Sequence, residues 1–265
     1  MLLENRNAVV YGGGGAIGSA VAHAFAREGA RVFLAGRTLA KLESVARGIS
    51  AAGGHAEAAQ VDALDEHSID SHADAVAARA GGIDIAVNAV GILHVQGTPL
   101  AELSFEDYAY PVTSYVRTNF LTAKAVARHM TKQGSGVILT LSTPGARLSG
   151  QGFLGNGVAS AAVEAFSRIL AGELGASGIR VICLRPDAIP DAVATSHTRE
   201  VFSGIAERAG TTIDGLLAER ARSATLLKRL PTLADVANFA AFAASDHANA
   251  MTASIANLSC GSLVD

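Results

Sequence analysis

Residues 8–18 read Ala8-Val9-Val10-Tyr11-Gly12-Gly13-Gly14-Gly15-Ala16-Ile17-Gly18, a short apolar run that breaks into glycines and then enters an Ala-rich stretch of helical period. A buried strand, a tight turn and a helix are expected in that order. Glycines reach positive φ angles without steric cost and let backbone N–H groups approach a pyrophosphate, which the positive end of the next helix also favours. Gly12, Gly14, Gly15, Ala16, Ile17 and Gly18 therefore read as a phosphate cradle. The competing reading is a merely flexible glycine connection.

Beyond this turn, short apolar runs alternate with longer segments of helical period, the pattern of repeated βαβ units. Strands are expected at 8–11, 32–35, 58–61, 83–87, 136–140, 180–184 and 256–258. The expected fold is α/β: a single Rossmann-type domain over 1–265, with a doubly wound parallel sheet of about seven strands and helices on both faces. Only the stretch from about 190 to 230 breaks the rhythm. It carries helical signals without a strand and reads either as an insertion or lid over a substrate pocket or as a surface ornament.

Composition narrows the functional classes. Hydrophobic residues make up 49% of the chain and charged ones 17%, which predicts a packed core rather than disorder. Aromatics are only 5% and Trp is absent, so small aliphatic side chains must fill that core. A net charge of -3 offers no basic field for a phosphate backbone, so nucleic acid is not an expected partner. Cys183 and Cys260 are too few for a disulfide framework. No apolar stretch reaches the roughly 18 residues of a membrane span and no leader pattern opens the chain, so the expected setting is cytoplasmic, without a membrane partner. No His, Cys, Asp and Glu spacing suggests a metal site.

The second strand ends in Leu34-Ala35-Gly36-Arg37-Thr38, about 20 residues after the glycine turn, where a ribose-binding residue belongs. An acid would accept from a free 2′-hydroxyl, whereas Arg37 presents a planar fork to a 2′-phosphate. Thr38 adds a hydroxyl. Arg37 thus favours NADP(H) over NAD, against the alternative of a solvated arginine at the strand end. Asp62, at the end of the third strand, lies where open α/β sheets bind ligands, or else caps the next helix.

The glycine turn, Val61-Asp62 and Asn88-Ala89-Val90-Gly91, with the segments 161–174 and 179–186 and the terminal Cys260-Gly261, together resemble the short-chain dehydrogenase/reductase family over nearly the whole chain. The resemblance implies that Asp62 and Ala63 meet the adenine. It implies that Asn88, Ala89, Val90 and Gly91 line the cofactor, and that Pro186 and Ile189 lie at the nicotinamide, Ile189 through its backbone. It also implies hydride transfer between nicotinamide and a carbonyl or alcohol, with a Tyr as proton donor whose pKa a Lys lowers.

That pair is missing. In the family's register Asn156 stands in the tyrosine position and Ser160 in the lysine position. The serine position falls on Thr143, or on Ser142 if the register slips by one, and the asparagine position falls on Tyr115, with Asn119 one helical turn later. The candidate catalytic set is therefore Thr143, Tyr115 and Asn156. Tyr115 would act as a replacement proton donor or as a buried structural phenol; His94 is held in reserve as an acid, and Gln96 also follows the fourth strand.

Two functions follow from these residues. The leading one is an NADP(H)-dependent reductase of a carbonyl or enoyl substrate with non-standard acid/base residues. The alternative is a cofactor-binding protein without catalysis, acting as sensor, scaffold or subunit. A small-molecule substrate is expected in the first case. The resemblance also implies a homodimer or homotetramer built through the helices at 121–130 and 161–174, unless those faces bury against their own sheet.

Overall fold

A computed structural model describes residues 1–193 and 196–264. Seven parallel strands form one sheet in the order β3-β2-β1-β4-β5-β6-β7. They are β1 (Asn7–Tyr11), β2 (Arg31–Gly36), β3 (His55–Gln60), β4 (Ile85–Asn88), β5 (Gly136–Leu141), β6 (Ile179–Pro186) and β7 (Ser254–Leu258). The helices are α1 (Ala16–Arg27), α2 (Leu39–Ala51), α3 (Glu66–Ala80), α4 (Phe105–Gln133), α5 (Leu154–Leu174), α6 (Pro190–Val193), α7 (Thr198–Arg208), α8 (Ile213–Ala224) and α9 (Leu233–Ala244). The chain winds outward in opposite directions from the β1–β4 pair, so the loops after these two strands diverge and leave a crevice between them.

Strand alternation splits the core in two. Ala8, Val10, Val32 and Leu34 pack with Val21 and Phe25 of α1, Leu42 of α2 and Val236 and Ala240 of α9. Val9, Tyr11 and Phe33 face the other way, onto Ile69 of α3, Val126 and Met130 of α4 and Ala171 of α5. Side chains two residues apart share a face of the sheet, so a run apolar at every position is buried on both sides. Small residues on α1 and α9 permit the close contact of these two helices, as the composition predicts.

Two strand limits differ from expectation. β3 begins at His55 rather than 58 and ends before Val61, because it is an edge strand bonded only to β2 and needs no continuous apolar run. β4 begins at Ile85; Ile83 and Asp84 instead lead into it, Asp84 accepting from the Asn7 N–H at 2.7 Å. The 190–230 stretch contains α6, α7 and α8, and no strand among its described residues.

One core detail sets a pH dependence. The His72 ring on α3 stands edge-on to Tyr11, with centroids 5.7 Å apart, and its Nδ1 is buried without a hydrogen-bond partner among the described residues. Burial, helped by Arg79, lowers its pKa from 6.5 to about 4. The unfolded chain therefore binds more protons between these values, and stability falls as pH drops from 6.5 towards 4, by about 3 kcal/mol in full. Thermal unfolding at pH 7 and 4.5 is expected to show this contribution in the parent and to lose it in His72→Leu. An equal acid-induced fall in both proteins would deny it.

Candidate active site

The carboxyl ends of β1, β2, β4, β5 and β6 open on one cleft of about 900 Å³. At its floor, Gly12 has φ 80°, and a Cβ there would come within 2.3 Å of the Ala89 carbonyl oxygen. The N–H groups of Gly12 and Gly13 both donate to the Ala35 carbonyl, at 2.8 and 3.1 Å, which folds the turn against β2. Gly15 is the N-cap of α1 and brings no side chain to that helix end, so the first-turn N–H groups face the cleft uncapped. Gly12, Gly14, Gly15, Ala16 and Ile17 line the cleft. Gly18 does not: its missing Cβ lets α1 pack on Gly12, whose carbonyl oxygen would lie 2.3 Å away.

Arg37 and Thr38 are exposed at one end of the cleft. Gln60 Nε2 donates to the Arg37 carbonyl at 3.0 Å and fixes the strand end, while the Arg37 guanidinium has no ion-pair partner among the described residues. The Thr38 hydroxyl caps nothing on α2. Lys41 lines the same end, also without an acid partner among the described residues. Sequence reading missed Lys41, although its position in the first turn after Arg37-Thr38 was a usable signal. Asp62 and Ala63 lie beside this end. Asp62 accepts from the Leu64 N–H at 3.0 Å, and the helix cap it might have provided belongs to Asp65.

After β4, Ala89, Val90 and Gly91 line the cleft but Asn88 does not. Asn88 is buried and holds the turn, donating to Thr122 Oγ1 at 3.0 Å and accepting from the Val90 N–H at 3.2 Å. Gly91 has the His197 imidazole against it, with Cε1 2.2 Å from where a Cβ would sit. Pro186 and Ile189 border the cleft after β6.

Thr143, Asn156 and Ser160 come together from β5 and α5. Thr143 Oγ1 lies 2.9 Å from Ser160 Oγ and accepts from Asn156 Nδ2 at 3.3 Å. It also accepts from the Gly145 N–H at 3.3 Å, so it caps a single turn at Pro144–Ala146 as well. Asn156 and Gly145 take its two lone pairs, so the Thr143 O–H is the hydrogen shared with Ser160 Oγ. The neighbouring Ser142 gives its hydroxyl to Glu164 at 2.9 Å in a buried position beside Arg185, so Thr143 is the freer hydroxyl.

Tyr115 lines the same cleft; its hydroxyl accepts from the Ile92 N–H at 3.4 Å, and burial pushes its pKa up. It is therefore a neutral donor near pH 7. Asn119 turns away, donating to the Tyr115 carbonyl at 2.9 Å. His94 donates from Nδ1 to the Ile92 carbonyl at 2.7 Å and receives Gln96 Nε2 at 2.7 Å on Nε2, so both ring nitrogens are engaged. Burial pushes its pKa down, and that of His197 too. The reserve acid is thus held neutral.

Helices α7 and α8 cover the cleft from the far side, through Val201, Phe202, Ile205, Leu216 and Leu217. Asp187, directly after Pro186, ties α8 down: Arg220 donates to it from Nε at 2.7 Å and from Nη2 at 3.0 Å. Sequence reading missed Asp187 as well, since its partner lies 33 residues further on, beyond any local pattern. Among the described residues no group of three or more His, Cys, Asp or Glu is placed to hold a metal, and no helix is long and apolar enough to cross a membrane.

Comparison with known proteins agrees with this architecture. The family model described as enoyl-(acyl carrier protein) reductase matches residues 14–262. D-threitol dehydrogenase of Mycolicibacterium smegmatis is 30% identical over 187 residues, 71% of each chain. Gluconate 5-dehydrogenase of Gluconobacter oxydans is 31% identical, over 69% of this chain and 71% of its own. A solved short-chain dehydrogenase/reductase from Mycobacterium ulcerans superposes with a TM-score of 0.86 at 29% identity, covering 99% of this chain and 91% of the other. With the sheet order, the glycine turn and the match from residue 14 onward in agreement, the chain belongs to the short-chain dehydrogenase/reductase family of oxidoreductases.

Proposed function

We propose that the protein is an NADP(H)-dependent reductase of a carbonyl or enoyl group on a small molecule, working with uncharged donors in place of the tyrosine–lysine pair. The observation that carries this reading is that one cleft runs from the glycine turn to the Thr143–Asn156–Ser160 cluster. The turn fits a dinucleotide, because the space that a Cβ on Gly12 would fill is enclosed by backbone and the adjoining helix end is uncapped.

A nicotinamide cofactor goes with the family. Gly12 to Ile17 would hold its pyrophosphate, Asp62 and Ala63 its adenine, and Ala89 to Gly91 with Pro186 and Ile189 the nicotinamide end. Arg37, Thr38 and Lys41 would take a 2′-phosphate, which is the ground for preferring NADP(H). When bound, the nicotinamide supplies the hydride. The Thr143 O–H, turning from Ser160, and the second N–H of Asn156 then donate to the substrate oxygen as negative charge develops on it. The protein offers no lysine-tuned acid at this point, so water delivers the proton that completes the product. Tyr115 adds a neutral hydrogen-bond donor from α4.

Removal of the Arg37 guanidinium tests the cofactor preference. A charge-assisted hydrogen bond contributes about 1.5–3 kcal/mol, or about 10–100-fold in affinity. In fluorescence titration, Arg37→Ala is expected to weaken NADPH by that factor and leave NADH unchanged. Equal weakening of both would remove Arg37 from the 2′-phosphate. Tight NADPH binding without turnover of any ketone, aldehyde or enoyl thioester would instead support the non-catalytic reading, which the dehydrogenase names of the relatives do not favour.

The same reading includes a homodimer or homotetramer. Leu121, Ala125, Val126 and Met130 of α4 bury against the sheet, whereas Val116, Phe120, Val158 and Ile169 on the outer faces of α4 and α5 remain exposed. Those outer faces, rather than the buried one, are the surfaces available for pairing.

A further inference from the structure

We propose that the lid end of the cleft takes a neutral, apolar ketone, recognised through a single oxygen, and excludes polyhydroxy ketones and carboxylates. This substrate class rests on the oxidoreductase reading given above. Leu148, Phe153, Val201, Phe202, Ile205 and Leu217 line the cleft that Thr143 also lines, and they come from the loop after β5 and from α7 and α8.

Apart from Tyr115 and His197, the polar groups at this end are largely spent on the protein itself. His94 and Gln96 bond each other, with His94 also donating to the Ile92 carbonyl. Ser196 and Ser223 return their hydroxyls to the carbonyls of Ala192 and Glu219, each at 2.8 Å. Arg220 is held bidentate by Asp187, and Glu219 by Arg222. A substrate carboxylate would have to displace Asp187 from Arg220. A polyhydroxy ketone would leave several hydroxyls without partners, which disfavours its transfer from water.

One oxygen, by contrast, is well served, because Thr143 and Asn156 sit together on the same cleft. The cleft of about 900 Å³ lies near the top of the range of roughly 300–1,000 Å³ seen for small-molecule sites. In the step implied, the ketone carbon gains hydride as NADPH is oxidised to NADP+, and the oxygen gains a proton from water, leaving hydroxide, to give a secondary alcohol.

The test uses the full chain and the neutral fluorophore N-phenyl-1-naphthylamine, whose emission rises in apolar sites, with NADPH titrated separately. One probe is expected to bind per chain and to be displaced by 2-decanone but not by erythrulose. Phe202→Asp is expected to weaken the probe at least tenfold, Phe202→Leu to bind it like the parent, and all three proteins to bind NADPH equally. Displacement by erythrulose ahead of 2-decanone, or unchanged probe binding in Phe202→Asp, would overturn the proposal. Failure of the parent chain to bind NADPH would sink the oxidoreductase reading instead, while the probe competition would still decide whether the lid end is an apolar site.

Discussion

A Gly12→Val variant is expected to bind neither NADPH nor NADH and to unfold at a temperature lower by about 10 °C. Gly12 has φ 80°, and its added Cβ would sit 2.3 Å from the Ala89 oxygen and 2.8 Å from the Val90 nitrogen. Those are backbone atoms of the turn after β4 and cannot rotate out of the way. A β-branched residue held at positive φ costs about 1–3 kcal/mol, and overpacking of this kind adds about 1–3 kcal/mol. At about 2–4 °C per kcal/mol for a large domain, the shift in midpoint follows. The turn must move away from β4, and the backbone N–H groups lose their common direction. Gly53→Ala is the control: its φ is 84° but nothing lies within 4 Å of a Cβ, so it carries the strain of positive φ without the clash. Calorimetry and cofactor titration on both variants separate these terms. If Gly12→Val retained NADPH affinity within about threefold, the cradle would not be where the cofactor binds.

Replacement of Thr143 by valine carries the second large effect. Valine keeps the shape and removes the hydroxyl that Ser160 and Asn156 orient. Loss of one preorganised donor at a developing oxyanion lowers kcat by about 100-fold or more, and NADPH affinity is expected to stay unchanged because Thr143 lies away from the glycine turn. Thr143→Ser is expected to recover most of the rate. Steady-state kinetics with a reducible ketone reads the difference. A Thr143→Val protein with parental kcat would show that the substrate oxygen is held elsewhere, with Tyr115 the next donor to test on the same cleft.

The local parts of this site were legible because local chemistry writes them. Positive φ at Gly12 demands glycine, and the uncapped start of α1 follows from Gly15 at the N-cap. Arg37 reaches the cleft because it directly follows β2 at a fixed distance from the turn. The edge strand β3 was harder to delimit, since a half-buried His-Ala-Glu-Ala-Ala-Gln run carries a weaker apolar signal than a central strand. Lys41 was overlooked, and so was the Asp187–Arg220 pair, because a salt bridge across 33 residues leaves no periodic trace.

Hydrophobic alternation and the glycine turn, both properties of neighbouring residues, were enough by themselves to determine a doubly wound parallel sheet and the end of the sheet on which the cleft opens. The division of labour between Ser142 and Thr143 was decided only by tertiary packing. Adjacent residues at the end of β5 point to different surroundings, so Ser142 meets the buried Glu164 while Thr143 meets Asn156 and Ser160 in the cleft.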